Sequence, residues 1–290
     1  YAVKQSPHVP SGRESLAGKR ILMSGGSRGI GLAIAKRAAQ DGAQVSLLAK
    51  TDTPDPRIPG TIHTAAQEIE EAGGTAHPYV GDVRDIERVQ DVVKDCAEAM
   101  GGIDIVVNNA SAIDLRGFAE VPNKRWALMK DINIGGTLNL ISSALPTLLE
   151  SSSPRVLTLS PPINLNPTWL GAHAPYTVSK YGMSILALGL AEEQRANPDF
   201  SSFCLWPRTL IATAAVANIV GGEEGMRAAR LPHIMADAAY SLLTRPAADT
   251  SGRAFIDEEV LREDGVTDLS EYAAVPGTPD DQLETDLFLD

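Results

Sequence analysis

Tyr176-Thr177-Val178-Ser179-Lys180 sets a phenol and an ammonium four residues apart, and on a helix residues i and i+4 share a face. A phenol titrates near pH ~10, and a cation beside it favours the phenolate, which suits proton transfer to and from an alcohol or carbonyl oxygen. Exposed helices carry such pairs often, so the meaning of this one depends on what shares its site. Ser24-Gly25-Gly26-Ser27-Arg28-Gly29-Ile30-Gly31 supplies a second part. Glycines at Gly25, Gly29 and Gly31 let the backbone turn tightly and approach a pyrophosphate, while the helix that follows presents free N–H groups to the anion. Lys50 ends the next apolar run, where an acidic residue would hold the ribose hydroxyls of NAD. With Arg28 nearby, two cations suit a 2′-phosphate through charge-assisted hydrogen bonds, and the expected cofactor is NADP(H).

These residues need a scaffold that brings them together. Arg20 to Ser24, Gln44 to Ala49, Ala76 to Val80, Ile103 to Val107, Arg155 to Ser160 and Ser202 to Trp206 read as short apolar strands. Gly31 to Ala43, Thr64 to Ala72, Asp85 to Met100, Asn123 to Leu149 and Ala174 to Ala196 read as helices between them. Repeated β-α units require parallel strands joined by crossover helices, so the expected fold class is α/β, a single Rossmann-type, doubly wound parallel sheet of about seven strands. Residues 1–15 read as an N-terminal extension and 16–290 as the domain. Two stretches interrupt the rhythm: Thr51 to Gly60, with three prolines, and Arg208 to Pro232, an insertion expected to serve as a substrate loop.

Composition narrows the partners. Lys and Arg number 25 against 37 Asp and Glu, a net charge of −12, which argues against nucleic acid and anionic membrane. No apolar run reaches the ~18 residues of a membrane span, the polar N-terminus is unlike a secretory signal, and two cysteines do not make a disulfide framework. A cytoplasmic location is expected. His63, His77, His173 and His233 lack metal-ligand spacing, so no metal is expected. His173, three residues before Tyr176, reads as an ordinary loop histidine.

Taken with their order, these motifs resemble the short-chain dehydrogenase/reductase family from about Leu16 onward. The resemblance implies that Asp82-Val83 contact the adenine and that Asn108-Asn109-Ala110-Ser111 corresponds to the family's NNAG segment. It further implies that Asn133 supports a water in the proton relay, Tyr176 is the acid/base, and Lys180 also binds the nicotinamide ribose. AKTDTPDPRIPGTIHTAAQEIEEAGG, SPPINLNPTW, YTVSKYGMS and LWPRTLIATAA are similar to the hydroxysteroid dehydrogenase-like subgroup. Animal members of that subgroup carry an added sterol-carrier domain; the resemblance covers the reductase part and gives a steroid no special weight. The family's helix pairing implies a homo-oligomer, dimer or tetramer.

The chain departs from the family at Leu159-Ser160-Pro161-Pro162-Ile163-Asn164. A serine that hydrogen-bonds the substrate oxygen is usual here, and proline or isoleucine fills the slot, depending on the alignment. Asn164 is the first expected replacement and Ser160 the second, since a placed donor rather than a given side chain is what the reaction needs. Pro207-Arg208-Thr209-Leu210-Ile211-Ala212-Thr213 also departs from the usual PG segment, and backbone contacts to the nicotinamide are expected around Ile211. The expected function is NADP(H)-dependent hydride transfer on an alcohol or carbonyl small molecule. Reduction of an enoyl thioester is the nearest alternative, and a low-turnover NADP sensor or scaffold the alternative of another class.

Overall fold

The computed structural model describes residues 14–54 and 60–290. Most of the expected N-terminal extension and the centre of the proline-rich loop lie outside them. Among the described residues seven parallel strands form one sheet: β1 (Arg20–Ser24), β2 (Gln44–Ala49), β3 (Thr75–Val80), β4 (Ile105–Asn108), β5 (Arg155–Thr158), β6 (Ser201–Trp206) and β7 (Ala254–Ile256), in the order β3-β2-β1-β4-β5-β6-β7. The order reverses between β1 and β4, which opens a crevice at their carboxyl ends.

Strand side chains alternate between two apolar layers because successive residues point to opposite faces. Ile21, Met23, Val45, Leu47, Phe203 and Leu205 pack on one face, against α1 (Gly29–Ala39), α2 (Ile62–Glu71) and, further along the chain, the helix His233–Leu243. Leu22, Leu48, Val106 and Val156 pack on the other, against α3 (Ile86–Met100) and residues Leu140 to Leu148. Both faces are covered, which accounts for strands that read as continuous apolar runs. Cys96 on α3 and Cys204 on β6 are both free and buried. Burial pushes their thiols up to about 12 and about 11 respectively.

Local chemistry sets the helix limits. Thr61 caps α2 by exchanging hydrogen bonds with Thr64, and Asp85 caps α3 by accepting from the Arg88 N–H. The span Asn123 to Leu149, expected as one helix, is three pieces: α4 (Asn123–Met129), a π-helical turn (Lys130–Gly136) and α5 (Thr137–Leu148). The last residue of the π-turn stands close to the loop after β3, since a Cβ at Gly136 would lie 2.5 Å from Val83. Past β5 come α6 (Pro167–Ala172) and the long α7 (Ala174–Glu193).

The insertion 208–232 is present after β6, folded as a second π-turn (Val216–Val220) and α8 (Gly222–Arg227), ahead of α9 (His233–Leu243), α10 (Ala247–Thr250), β7 and α11 (Asp257–Glu263). It is pinned rather than loose. Arg230, 1% exposed, donates to Glu258 at 2.8 Å, to the Leu269 carbonyl at 2.9 Å and to Asp280 at 3.0 Å. Asp257 beside it is fully buried; one carboxyl oxygen accepts from the Arg208 and Glu258 N–H groups and the other has no partner.

Burial raises the Asp257 carboxyl from its ordinary 3.8 to about 7. The folded chain therefore binds more protons here than the unfolded chain between these two values, and stability falls as pH rises across that window. Asp257→Asn keeps the acceptor and removes the charge. We expect a melting temperature higher by about 3–6 °C at pH 8 and little change at pH 4, read by thermal melts at both pH values. An equal effect at both would show that Asp257 is not ionised in the fold.

Candidate active site

The turn after β1 is shaped by what stands behind it. Gly25 has φ +72°, and a Cβ there would meet the Ala110 backbone at 2.8 Å. A Cβ at Gly31 would meet Asn109 Nδ2 at 2.5 Å. That amide donates to the Ser24 and Gly25 carbonyls at 3.2 and 2.8 Å, while the Asn109 and Ala110 N–H groups donate to Ser24 Oγ. Helix α1 starts at Gly29 with Arg28 as an N-cap that makes no side-chain cap bond, and Ser27 is buried in the turn. Ile30 is partly buried against the core. A glycine cradle and an uncapped helix N-terminus fit a dinucleotide pyrophosphate. Thr213 lies 3.4 Å from a Cβ built on Gly29, so the stretch from Ile211 to Thr213 borders the same turn.

At the outer end, Lys50 Nζ lies 3.1 Å from Asp82, and Arg84 reaches the same carboxylate at 2.6 Å. Arg84 first, then Lys50, holds the Asp82 carboxyl well below the usual carboxylate range. Lys50 thus meets any adenosine ribose already sharing an acid with Arg84. Arg28 Nη2 donates to the Gly60 carbonyl at 2.7 Å. Val83 is buried, its carbonyl accepting from Asn139, and Asn108 Nδ2 donates to Thr158.

Tyr176 and Lys180 both point inward from the first turns of α7, 4% and 2% exposed. Lys180 Nζ donates to the Leu159 carbonyl at 2.7 Å and lies 5.1 Å from the Trp206 ring. Asn133 sits inside the first π-turn, a geometry found often at functional sites. Its side chain closes a pair with the Ala112 backbone and donates to Ser179 Oγ, which in turn donates to the Tyr176 carbonyl. Burial pushes the Tyr176 phenol above its ordinary value and Lys180 down to about 7, moving both toward neutral. The expected lowering of the phenol by its lysine is therefore outweighed by desolvation among the protein's own groups.

The departing loop has a different use for its amides. Asn164 Nδ2 donates to the Phe288 carbonyl at 3.0 Å and to Asp290 at 3.1 Å, so its amide faces the chain's own segment. Ser160 Oγ is fully buried beside the Cys204 thiol under α7. The alternation along β5 and its exit turns that hydroxyl to the helix layer. Sequence reasoning passed over His173, whose ring stands edge-on to Tyr176 at 5.9 Å between centroids. Its Nδ1 contacts Thr177 Oγ at 3.1 Å, Nε2 is buried without a partner, and burial lowers its pKa, keeping the imidazole neutral. Also unforeseen is Phe288, fully buried against the Tyr176 ring. A usable signal was present in both: a histidine one turn from the tyrosine, and an apolar LFL in an acidic tail.

Known proteins are similar to this chain. A family model described as short chain dehydrogenase matches residues 19–197. The chain is 50% identical to hydroxysteroid dehydrogenase-like protein 2 of Danio rerio over 275 residues, which cover 95% of this chain and 65% of that relative. The chain thus spans just under two-thirds of the relative's length. A solved short chain dehydrogenase from Mycobacterium thermoresistibile is 53% identical, with 95% of this chain and 96% of that one covered and a TM-score of 0.88. A solved chain from Xanthomonas campestris is 47% identical over 96% of this chain and 100% of its own, with a TM-score of 0.90. More distant chains of the same fold hold NAD in one case, at 21% identity, and NADPH with L-sorbose in another, at 23%.

Gly31→Ala puts a methyl group where the Asn109 amide stands and breaks its bonds to β1. A stability loss of ~1–3 kcal/mol is expected in urea titrations, the cost of leaving buried carbonyls unpaired, together with weaker dinucleotide binding. An unchanged midpoint would show that the amide can shift without loss.

Proposed function

The chain belongs to the short-chain dehydrogenase family and is an oxidoreductase, and from that premise we propose that it moves hydride between NADP(H) and the carbon of an alcohol or carbonyl group. The observation that carries this reading is the burial of Tyr176 and Lys180 together on α7, with the glycine turn built on the neighbouring strand ends. NADPH, when bound, supplies the hydride. Tyr176 gives its phenolic proton to the substrate oxygen as the carbon is reduced, and takes it back in the oxidation. Lys180, fixed by the Leu159 carbonyl, anchors the ribose and, charged in the complex, favours the phenolate that the transfer leaves. Asn133 positions this end of α7 through Ser179 and supports the water relay that restores the proton.

His173 is assigned to the pocket wall beside Tyr176. Thr177 Oγ donates its one hydrogen to the Trp169 and His173 carbonyls, so Nδ1 carries the imidazole hydrogen toward Thr177 Oγ and Nε2 is a buried acceptor with no partner. Ser160 lies beside Cys204 in the helix layer, and Asn164 serves the loop and tail. Lys50 and Arg28 are assigned to the 2′-phosphate, Asp82 and Val83 to the adenine, and Asn108, Asn109, Ala110 and Ile211 to the inner half of the cofactor.

Leu138 on α5 and Val178 and Ile185 on α7 leave exposed apolar side chains. Their position supports a homo-oligomer, dimer or tetramer, formed through these helices. Two free thiols agree with a reducing compartment such as the cytoplasm, and no helix among the described residues is long and apolar enough to cross a membrane.

Single-turnover oxidation of bound NADPH with ketones, aldehydes and enoyl thioesters tests the reaction class. Oxidation by carbonyl compounds is expected; oxidation by enoyl thioesters alone would move the assignment to C=C reduction, and none beside tight binding would make the protein a sensor. Tyr176→Phe should lower the rate by ~10²–10⁴ with NADPH affinity kept, while Ser160→Ala stays near wild type. Titrations with both cofactors should show tighter binding of NADPH, and Lys50→Ala should reduce that preference by about tenfold or more, ~1.4 kcal/mol. A wild-type preference for NADH would overturn the cofactor assignment.

A further inference from the structure

The segment Thr285–Asp290 crosses the face of α7 that carries Tyr176. Thr285 bridges to Thr209, and the Asp286 N–H donates to the Arg208 carbonyl at 3.0 Å. The Trp206 indole then donates to the Leu287 carbonyl at 3.0 Å. Phe288 follows with no exposed surface, its ring 6.0 Å from Tyr176 in a stacked arrangement and 5.4 Å from His173 edge-on. Tyr181, Trp206 and Trp169 complete the enclosure at 5.3, 5.9 and 6.1 Å. Asp290 stands at the rim. Its Oδ1 accepts from Asn166 Nδ2 at 2.9 Å and Trp169 Nε1 at 3.0 Å, and its Oδ2 from Asn164 Nδ2 at 3.1 Å.

Two properties of this arrangement point beyond ordinary packing. An apolar ring is stacked on the residue assigned to give a proton to substrate, so substrate and Phe288 exclude each other there. Phe288 also has φ +72°, the one non-glycine residue with positive φ among the described residues, a backbone conformation that bulky residues rarely adopt. The rim is equally specific. Three neutral N–H donors converge on one exposed carboxylate with no cation beside them in the cluster, a donor set that fits any carboxylate of similar reach.

We propose that Phe288 and Asp290 hold the places of substrate: the reactive molecule carries an apolar body that displaces Phe288 over Tyr176, and a carboxylate that replaces Asp290 on Asn164, Asn166 and Trp169. This rests on Tyr176 being the proton donor and names the substrate class, apolar carbonyl compounds with an anionic end. The segment competes from within the chain at high effective concentration, so weakening its grip raises the affinity for a molecule of this shape.

The test is calorimetric binding of 4-phenylbutanoate and its neutral partner 4-phenylbutanamide to the NADPH-loaded full chain. Asp290 is exposed, so Asp290→Ala should leave the fold intact. That variant is expected to bind the acid about tenfold more tightly than wild type, with little gain for the amide, ~1.4 kcal/mol for the acid alone. Phe288→Ala should improve both ligands. Adding Asn166→Ala to Asp290→Ala should remove the acid's advantage. No binding of either ligand to Asp290→Ala, an equal gain for both, or a gain that survives loss of Asn166 overturns the proposal. NADPH oxidation by Asp290→Ala with the carbonyl panel, in the same preparation, separates failure here from failure of the Tyr176 assignment.

Discussion

A buried amino group has to find an acceptor, and the answer given to Lys180 organises the active half of the molecule. Its bond to the Leu159 carbonyl, 2.7 Å long, joins α7 to the end of β5. Removing a lysine from water without a partner costs several kcal/mol, so the helix and the strand end cannot drift apart independently. Pro161 and Pro162 reinforce the join from the strand side. Both fix φ and lack N–H groups, so the chain leaves β5 stiffly, and Ser184 on α7 donates to the Pro161 carbonyl at 2.6 Å. With these two tethers in place, Tyr176, one turn before Lys180, stands over the strand ends where the glycine turn also opens.

The parts of this arrangement that depend on local chemistry were legible in the sequence. Glycines at positive φ or close contact, a tyrosine and lysine one turn apart, and apolar runs of strand length each leave a mark in residue type. The strand β7 is three residues long, too short for periodicity to register, and it is held by pairing with β6. The π-turn around Asn133 was invisible for another reason. Gly136 at its end meets Val83, a residue far away in the chain, and such a contact leaves no local mark.

Asn164 shows the limit most clearly. An amide near the end of β5 was a reasonable substitute for a hydroxyl, judged by donor chemistry and distance along the chain. Its direction is decided by Phe288 and Asp290, more than a hundred residues later, and by Tyr181, whose hydroxyl donates to the Asn164 carbonyl at 2.7 Å. His173 was undervalued because its neighbour Thr177, which sets its tautomer, matters only once the helix start is drawn in three dimensions.

The two cysteines described with the fold give the protein an internal gauge of its own breathing. Cys96 lies on α3, turned toward the sheet, and Cys204 lies on β6 beneath α7, beside Ser184. Neither thiol reacts while buried and protonated, because alkylation needs a solvent-exposed thiolate. Their separate modification rates under native conditions therefore time the lifting of the two helices, and report whether α3 and α7 open as one unit or as two.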